Sequence, residues 1–495
     1  MPDLAYPEAR SLKLALGLLL GFSLAATASA QQSGTINQLF AFTCFGGSNN
    51  DSCPQGARPD LIIQASDGNF YGGAQVTDEG VSNPQGGTLF KLTPAGQFTK
   101  LFTFTQNGQG QFLNGNNPVD GFLEANDGFL YGTTFNGGSH NDGVLFRISK
   151  SRAGFRVLHN FCSKANCADG SLPIGLVLGR DGNIYGSTQG GGSSGNGTIF
   201  RFVPATGSFT TVHTLNGTTD GSGPSALTLA SDGNFYGLDR GPDVNSSVFR
   251  FVPSTGQFTI QFTLPSFDLA ISTALVQGAN GNLFGAFEDE IGGHDINYFE
   301  VRPDGTGFQT FPPFAPLEGV LDVPPLFLAS DGNLWGTNFG DSTFADGSVI
   351  TLNPEGVVFQ SFGFNGTNGQ EPDAAVIQGS DGKIYGTAIG GGTISGGRQK
   401  FADGTVWNLD AGLPLPSPSV ALLNPTSGSI GSTVLINGNN FVGATSVSFN
   451  GTSASFKILN LHFISATVPA GATSGPVTVT TAGGSSTSAQ AFSVK

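Results

Sequence analysis

Two histidine–acid pairs draw attention by type and spacing: His140 with Asp142, and His294 with Asp295. An imidazole beside a carboxylate can take up and return a proton near neutral pH, which is general acid–base work. Asp239 with Arg240, and Glu288 with Asp289, add charge in segments of the same kind. These eight residues are the candidate ligand-binding positions. The chemistry does not assemble further into a catalytic constellation. The two pairs belong to different repeats of the chain, and no Gly-x-Ser-x-Gly elbow or His-Glu-x-x-His motif occurs. No catalytic residue is assigned. The acidic residues, together with Asp78, Glu79 and Glu290, read as a solvated rim with weak affinity for cations.

A second chemical pattern is Asp181-Gly182-Asn183-Ile184-Tyr185-Gly186, which recurs from Asp67, Asp127 and Asp232 and, with changes, from Asn280, Asp331 and Asp381. Asp and Asn oxygens are hard ligands and suggest calcium. The same residues also make a capped hairpin turn, with the carboxylate accepting backbone N–H bonds and Gly supplying positive φ. The turn is the preferred reading, because no copy shows the staggered acids and distal Glu of a calcium loop. No cofactor is expected. The aromatics that follow (Tyr71, Tyr131, Tyr185, Tyr236, Trp335, Tyr385) offer sugar-stacking surfaces, or packing between repeats. Packing is preferred for strand residues of that size.

The elements that hold these groups are short strands. The seven copies are spaced near 50 residues, a period typical of propellers and other arrays. Each unit reads as four strands. In the third unit they are Leu176 to Leu178, Ile184 to Thr188, Thr198 to Val203 and Phe209 to Leu215. Four antiparallel strands make a propeller blade, and seven units predict a seven-bladed β-propeller over residues 31–410. The seventh unit stops at Leu409 without a fourth strand, while a spare one, Ile36 to Phe42, opens the repeat region. That strand is predicted to close the last blade and remove an exposed edge. The tight turns then share one face, and the long loops carrying every candidate residue share the other.

Four cysteines fall as two close pairs in corresponding loops, Cys44 with Cys53 and Cys162 with Cys167. In an exported chain this spacing predicts two local disulfides rather than one four-cysteine metal site. Export is read from residues 1–30: Arg10 and Lys13 precede the apolar run Leu14 to Leu24, and Ala28-Ser29-Ala30 fits a signal cleavage site. The run is short for a bilayer span, so no span is expected in the mature chain. The net charge is −15, and the tail from Ser417 carries +2, leaving −15 − 2 = −17 on the repeats because the leader is balanced. That charge disfavours nucleic acid as a partner.

Leu413-Pro414-Leu415-Pro416-Ser417-Pro418 reads as a linker over 411–418. After it, Asn424-Pro425-Thr426-Ser427-Gly428, the run Gly431 to Phe441, Val447-Ser448-Phe449-Asn450-Gly451 and Gly475-Pro476-Val477-Thr478-Val479 resemble an IPT/TIG domain. The resemblance implies an immunoglobulin-like sandwich over 419–495. The repeats, through their Asp-Gly-Asn-Phe-Tyr-Gly copies and strands such as Gly197-Thr198-Ile199-Phe200-Arg201-Phe202, resemble the GloVer tandem repeat of bacterial choice-of-anchor surface proteins. The expected protein is therefore secreted or at the cell surface, all-β and monomeric. It would bind glycans or a surface protein noncatalytically through the long-loop face. Two alternatives stay open: a propeller-type polysaccharide lyase or glycoside hydrolase, and a structural spacer.

Overall fold

In each Asp-Gly-Asn copy the Gly takes a φ between 75° and 85°, a conformation that costs a residue with a Cβ. The first copy shows how the turn is locked. The Asn69 N–H donates to Asp67 Oδ1 at 3.2 Å, the Gly68 N–H to the Ala65 carbonyl at 2.8 Å, and the Tyr71 hydroxyl to Asp67 Oδ2 at 2.9 Å. The tyrosine bond returns at Tyr131, Tyr185, Tyr236 and Tyr385, and Trp335 Nε1 points at Asp331 in the same way. Burial alone would raise the Asp67 carboxyl, yet bonds from Asn69 and Tyr71 and the charge of Lys91 hold it below its usual range. The fifth unit proves the logic. There Phe284 has no hydroxyl, Asn280 replaces Asp, and Glu300 replaces the basic residue of earlier units; Asn280 Nδ2 and Asn282 Nδ2 each donate to Glu300 Oε2 at 3.1 Å. Donor, acceptor and counter-charge have changed together.

The computed structural model describes residues 34–45, 51–79, 86–241, 245–265, 268–269, 274–289, 295–311, 325–340, 345–354, 356–393 and 400–495. The expected leader lies outside this set. Regular structure among the described residues is strand apart from one 3₁₀ turn, Ala165–Cys167. In the repeats the named strands pair antiparallel. The second unit runs Asn116–Glu124, Leu130–Asn136, Val144–Ile148, Arg156–Asn160, and the third Ser171–Leu178, Ile184–Gly190, Thr198–Val203, Ser208–Thr214. One sheet has eight strands, because Ile36–Phe45 pairs with Lys400–Leu409 on one side and meets Asp51–Gln64 on the other. Its register starts at Ile36↔Leu409 and ends at Phe45↔Lys400, so the first described strand stands where the seventh unit lacks its fourth.

Neighbouring units are joined by a ladder of rings between their fourth strands. Phe40 stacks on Phe98 (4.4 Å between centroids), Phe102 on Phe155 (3.7 Å) and Phe262 on Phe308 (4.5 Å). Phe311 shares a core cluster with Val358, and Phe362 shares one with Ile36, which are the corresponding positions of the remaining units. The tyrosines behind the turns are buried between sheets as well; Tyr385 of the last unit lies 4.2 Å from Phe70 of the first. Their expected packing role holds, and a solvent-facing sugar-stacking ring does not.

The tail is an immunoglobulin-like pair of sheets. Ser419–Asn424, Thr433–Asn439, Phe463–Thr467 and Phe456–Asn460 form one, and Thr452–Ser453, Ser446–Phe449, Val477–Thr481 and Gly484–Thr487 the other. Val434, Ile436, Phe441, Phe449, Val479 and Phe492 fill the space between them. Gly34 to Lys495 is one compact unit, and the Pro-rich segment inside it is no free spacer. Leu413 is buried with Trp335 and Trp407, and the Pro414 carbonyl accepts from Ser330 Oγ and Gln378 Nε2. Phe463 of the tail is buried in the same cluster as Ala125 and Tyr131, and Asn460 Nδ2 donates to Asn126 Oδ1 at 2.8 Å. These contacts fall at the tight turns, so the tail sits at that end of the repeats.

Candidate functional site at the long-loop end of the repeats

The opposite end is built from the loops that link second to third strands and one unit to the next. Backbone bonds tie adjacent loops together: the Asn117 N–H donates to the Gly86 carbonyl, Leu172 to Asp142, Gly223 to Asn196 and Glu371 to Asp346, each at 2.9–3.1 Å. Both cysteine pairs close here as the local disulfides Cys44–Cys53 and Cys162–Cys167, so the four sulfurs do not form one metal site. The Cys162–Cys167 loop is further pinned by Asp169, whose carboxylate accepts from the Ser163 and Lys164 N–H groups and the Ser163 hydroxyl.

The sequence-derived candidates scatter over this surface. His140 is exposed and shares a bond with the Ser139 hydroxyl at 2.8 Å. Asp142 lies within 4.8 Å of the Cys162 and Cys167 sulfurs. Burial pushes the Asp142 carboxyl up, and the nearby His140 partly offsets this. His140 and Asp142 thus sense each other, but a separate bond to Ser139 holds the imidazole. Glu288 and Asp289 pair through their backbones with Ile296 and Asp295 across a hairpin. Their side chains, the Asp295 side chain and all of His294 lie outside the described residues.

Asp239 is the exceptional one. It is the last residue but one of the second strand of unit four, Phe235–Arg240, at the position held by Thr134 in unit two and Thr188 in unit three. Those threonine hydroxyls donate to the carbonyls of Asn136 and Gly190, and accept from the N–H groups of Val144 and Thr198. A carboxylate cannot donate. Asp239 is only 3% exposed, and neither oxygen has a hydrogen-bond partner of good geometry. Burial pushes its carboxyl up to about 8; Ser247 close by opposes the shift and the charge of Asp220 adds to it. The acid is therefore held protonated at neutral pH. Arg240 does not neutralise it. The Arg240 backbone pairs with Ser222 and its side chain is exposed.

The histidine–acid pairs that do form are ones the spacing did not single out. His213 Nε2 is bonded to Asp220 Oδ2 at 3.1 Å, and His159 Nε2 lies 3.0 Å from Asp169 Oδ2. Both histidines occupy ring-ladder positions: His159 stacks on Phe209 at 3.7 Å and His213 on Phe258 at 4.5 Å. Burial holds each imidazole below its usual pKa, and the adjacent carboxylate only partly restores it. A signal was present in the sequence. Each histidine stands at the fifth position of a fourth strand where units one and four have Phe102 and Phe262, and an Asp follows in the next loop. Such a pair, clamped between rings, ties a loop to a strand more readily than it works on a substrate.

The sequence matches the Gloeobacter/Verrucomicrobia repeat over residues 6–241 and again over 58–299, and the IPT/TIG domain over 418–494. No curated protein matches it. Among solved structures it is similar to the extracellular domain of a hybrid two-component system from B. thetaiotaomicron, at 13% identity and a TM-score of 0.47; that match covers 89% of this chain and 52% of that one. It is also similar to a fungal alcohol oxidase of the AA5 family in complex with copper, at 12% identity and a TM-score of 0.42 over 94% of this chain and 99% of that one. A luciferin-regenerating enzyme matches at 8% identity and a TM-score of 0.37, over 76% and 95%. With matched repeats spanning more than half its length and a matched C-terminal domain, the chain belongs to the Gloeobacter/Verrucomicrobia repeat family and ends in an IPT/TIG domain.

Proposed function

We propose that the protein is an exported, noncatalytic binding or adhesion protein whose repeats close into a seven-bladed propeller, and whose long-loop end meets the ligand. Closure is supported by the pairing of Ile36–Phe45 onto the last unit and by the Phe40–Phe98 and Tyr385–Phe70 contacts between last and first units. The observation that carries the functional reading is the placement of the tail. It occupies the tight-turn end through Asn460, Phe463 and Pro414, so among the described residues the tail does not cover the long-loop end. Loops on a rigid scaffold are where recognition concentrates. The disulfides at that end suit an oxidising compartment, and no described helix is long and apolar enough to cross a membrane. Glycans or other surface polymers are the ligand class we favour.

Asp239 favours a second reading, a propeller-type polysaccharide lyase or glycoside hydrolase. Strongly shifted carboxyls cluster at catalytic sites, and burial raises this one to about 8, so it would hold a proton at neutral pH as a general acid does. A glycan array read with calcium and with chelator, followed by product analysis of the bound sugars, separates the two. Binding without cleavage is the expected result. Cleaved products would establish the enzyme instead, and loss of binding on chelation would assign calcium to the loops.

A further inference from the structure

Between the repeats and the tail lies a chamber of about 390 Å³, within the range of about 300–1,000 Å³ typical of small-molecule sites. Its floor comes from the first strands of five units, through Ile63, Leu123, Val177, Phe327 and Ile377, and its roof from Val442 and Leu461 of the tail. We propose that this chamber binds a neutral, apolar small molecule of alkyl or aryl character, held where the tail docks on the repeats.

The polar groups of the wall decide the chemical class, because they are already engaged within the protein. Gln64 accepts from the Ser380 N–H at 2.8 Å and donates to the Gly68 carbonyl at 3.1 Å. Gln378 accepts from the Ser330 N–H at 2.9 Å and donates to the Pro414 carbonyl at 3.1 Å. The Glu124 carboxylate is neutralised by Lys150 and accepts from the Ser66 N–H at 2.6 Å. Asn460 spans Asn126 and the His462 N–H. His462 Nδ1 lies 2.7 Å from Asn439 Oδ1, and burial holds the imidazole below its usual pKa. No uncompensated charge is left for an ionic ligand among these groups. What remains is mainly aliphatic and aromatic surface, which favours apolar guests. The roof is fastened on several sides, by Phe463 among the core residues of units two and three and by Pro414 at units six and seven. A partly covered space of this size suits a small molecule better than a peptide segment.

The test uses N-phenyl-1-naphthylamine, a neutral fluorescent arene, titrated into the full mature chain. We expect saturable binding of one equivalent that does not change between low and high salt. Leu461→Trp and Val177→Phe, which fill the chamber from opposite walls, should each weaken binding by about tenfold with melting temperature retained. Crystals of the unaltered chain pressurised with xenon give an independent reading, with xenon expected in the chamber. Non-saturable binding, binding unmoved by both variants, or a chamber filled with ordered water would overturn the proposal.

Discussion

Asp239→Asn keeps the shape of a protonated acid but cannot ionise. In the native chain this carboxyl titrates near 8, whereas in an unfolded chain it titrates near 3.9. Between those values the native state retains a proton that the unfolded state has released. Raising the pH therefore draws the equilibrium toward unfolding, by about 1.4 kcal/mol per unit. About three units separate the unfolded value from pH 7, so the buried acid costs on the order of 4 kcal/mol there and almost nothing near pH 4. The variant should escape that cost. For 495 residues an unfolding entropy of about 2.1 cal/mol/K per residue gives about 1 kcal/mol/K, so the gain is roughly 4 °C in Tm at pH 7. Melting curves of both proteins from pH 4 to 8.5 check this. The gap should open steadily with pH and level off above 8. A gap independent of pH would refute the reasoning, since it means that the native state carries Asp239 ionised. Asp220→Asn is the control: it removes a neighbouring negative charge, so the pH at which the gap levels off should fall.

Tyr236→Phe removes the hydroxyl that donates to Asp232 and should cost about 1 kcal/mol in denaturant titrations. Adding Asp232→Asn should recover part of that loss, since unit five has lost both groups together, and strictly additive costs would argue against coupling. His213→Phe restores the ring used by units one and four and should stay within about 1 kcal/mol of the parent at pH 7. Because burial depresses the His213 pKa, an unfolded chain protonates there first, so the parent should lose stability relative to this variant as pH falls below about 6.5. Deleting residues 31–43 removes most of the strand paired with the last unit and should lower Tm sharply; unchanged melting would remove the case for ring closure.

The repeat grammar was legible because its determinants are local. A turn that needs positive φ selects Gly68 and its six counterparts, and a carboxylate two residues before a free N–H caps itself. The spare strand at Ile36 could be matched to Lys400–Leu409 by counting strands alone. The site was less legible, because its contacts join segments that the sequence keeps apart. Spacing favoured His140 and Asp142, yet His213 and Asp220 are the pair joined, across a loop that Asn216 folds by accepting from three backbone N–H groups. The burial of Asp239 follows from strand register, which a single acidic letter does not reveal. The docking of the tail was also hidden. Leu435, Leu459 and Phe463 look like ordinary sandwich residues, and only the folded chain turns them toward Phe129 and Tyr131.

The pairing of the first described strand with the last strand of the repeats has a mechanical consequence. Ile36 and Leu409 are opposite one another at the same end of the two-strand ladder. A tether pulling on residue 34 against residue 410 would load that first pair alone, then Asn37 with Asn408, then Gln38 with Trp407. The hydrogen bonds would part in succession, as in a zipper, instead of sharing the load as they do when strands are pulled in shear. Loaded between those two points, the seam would open at lower force than the same ladder pulled in shear.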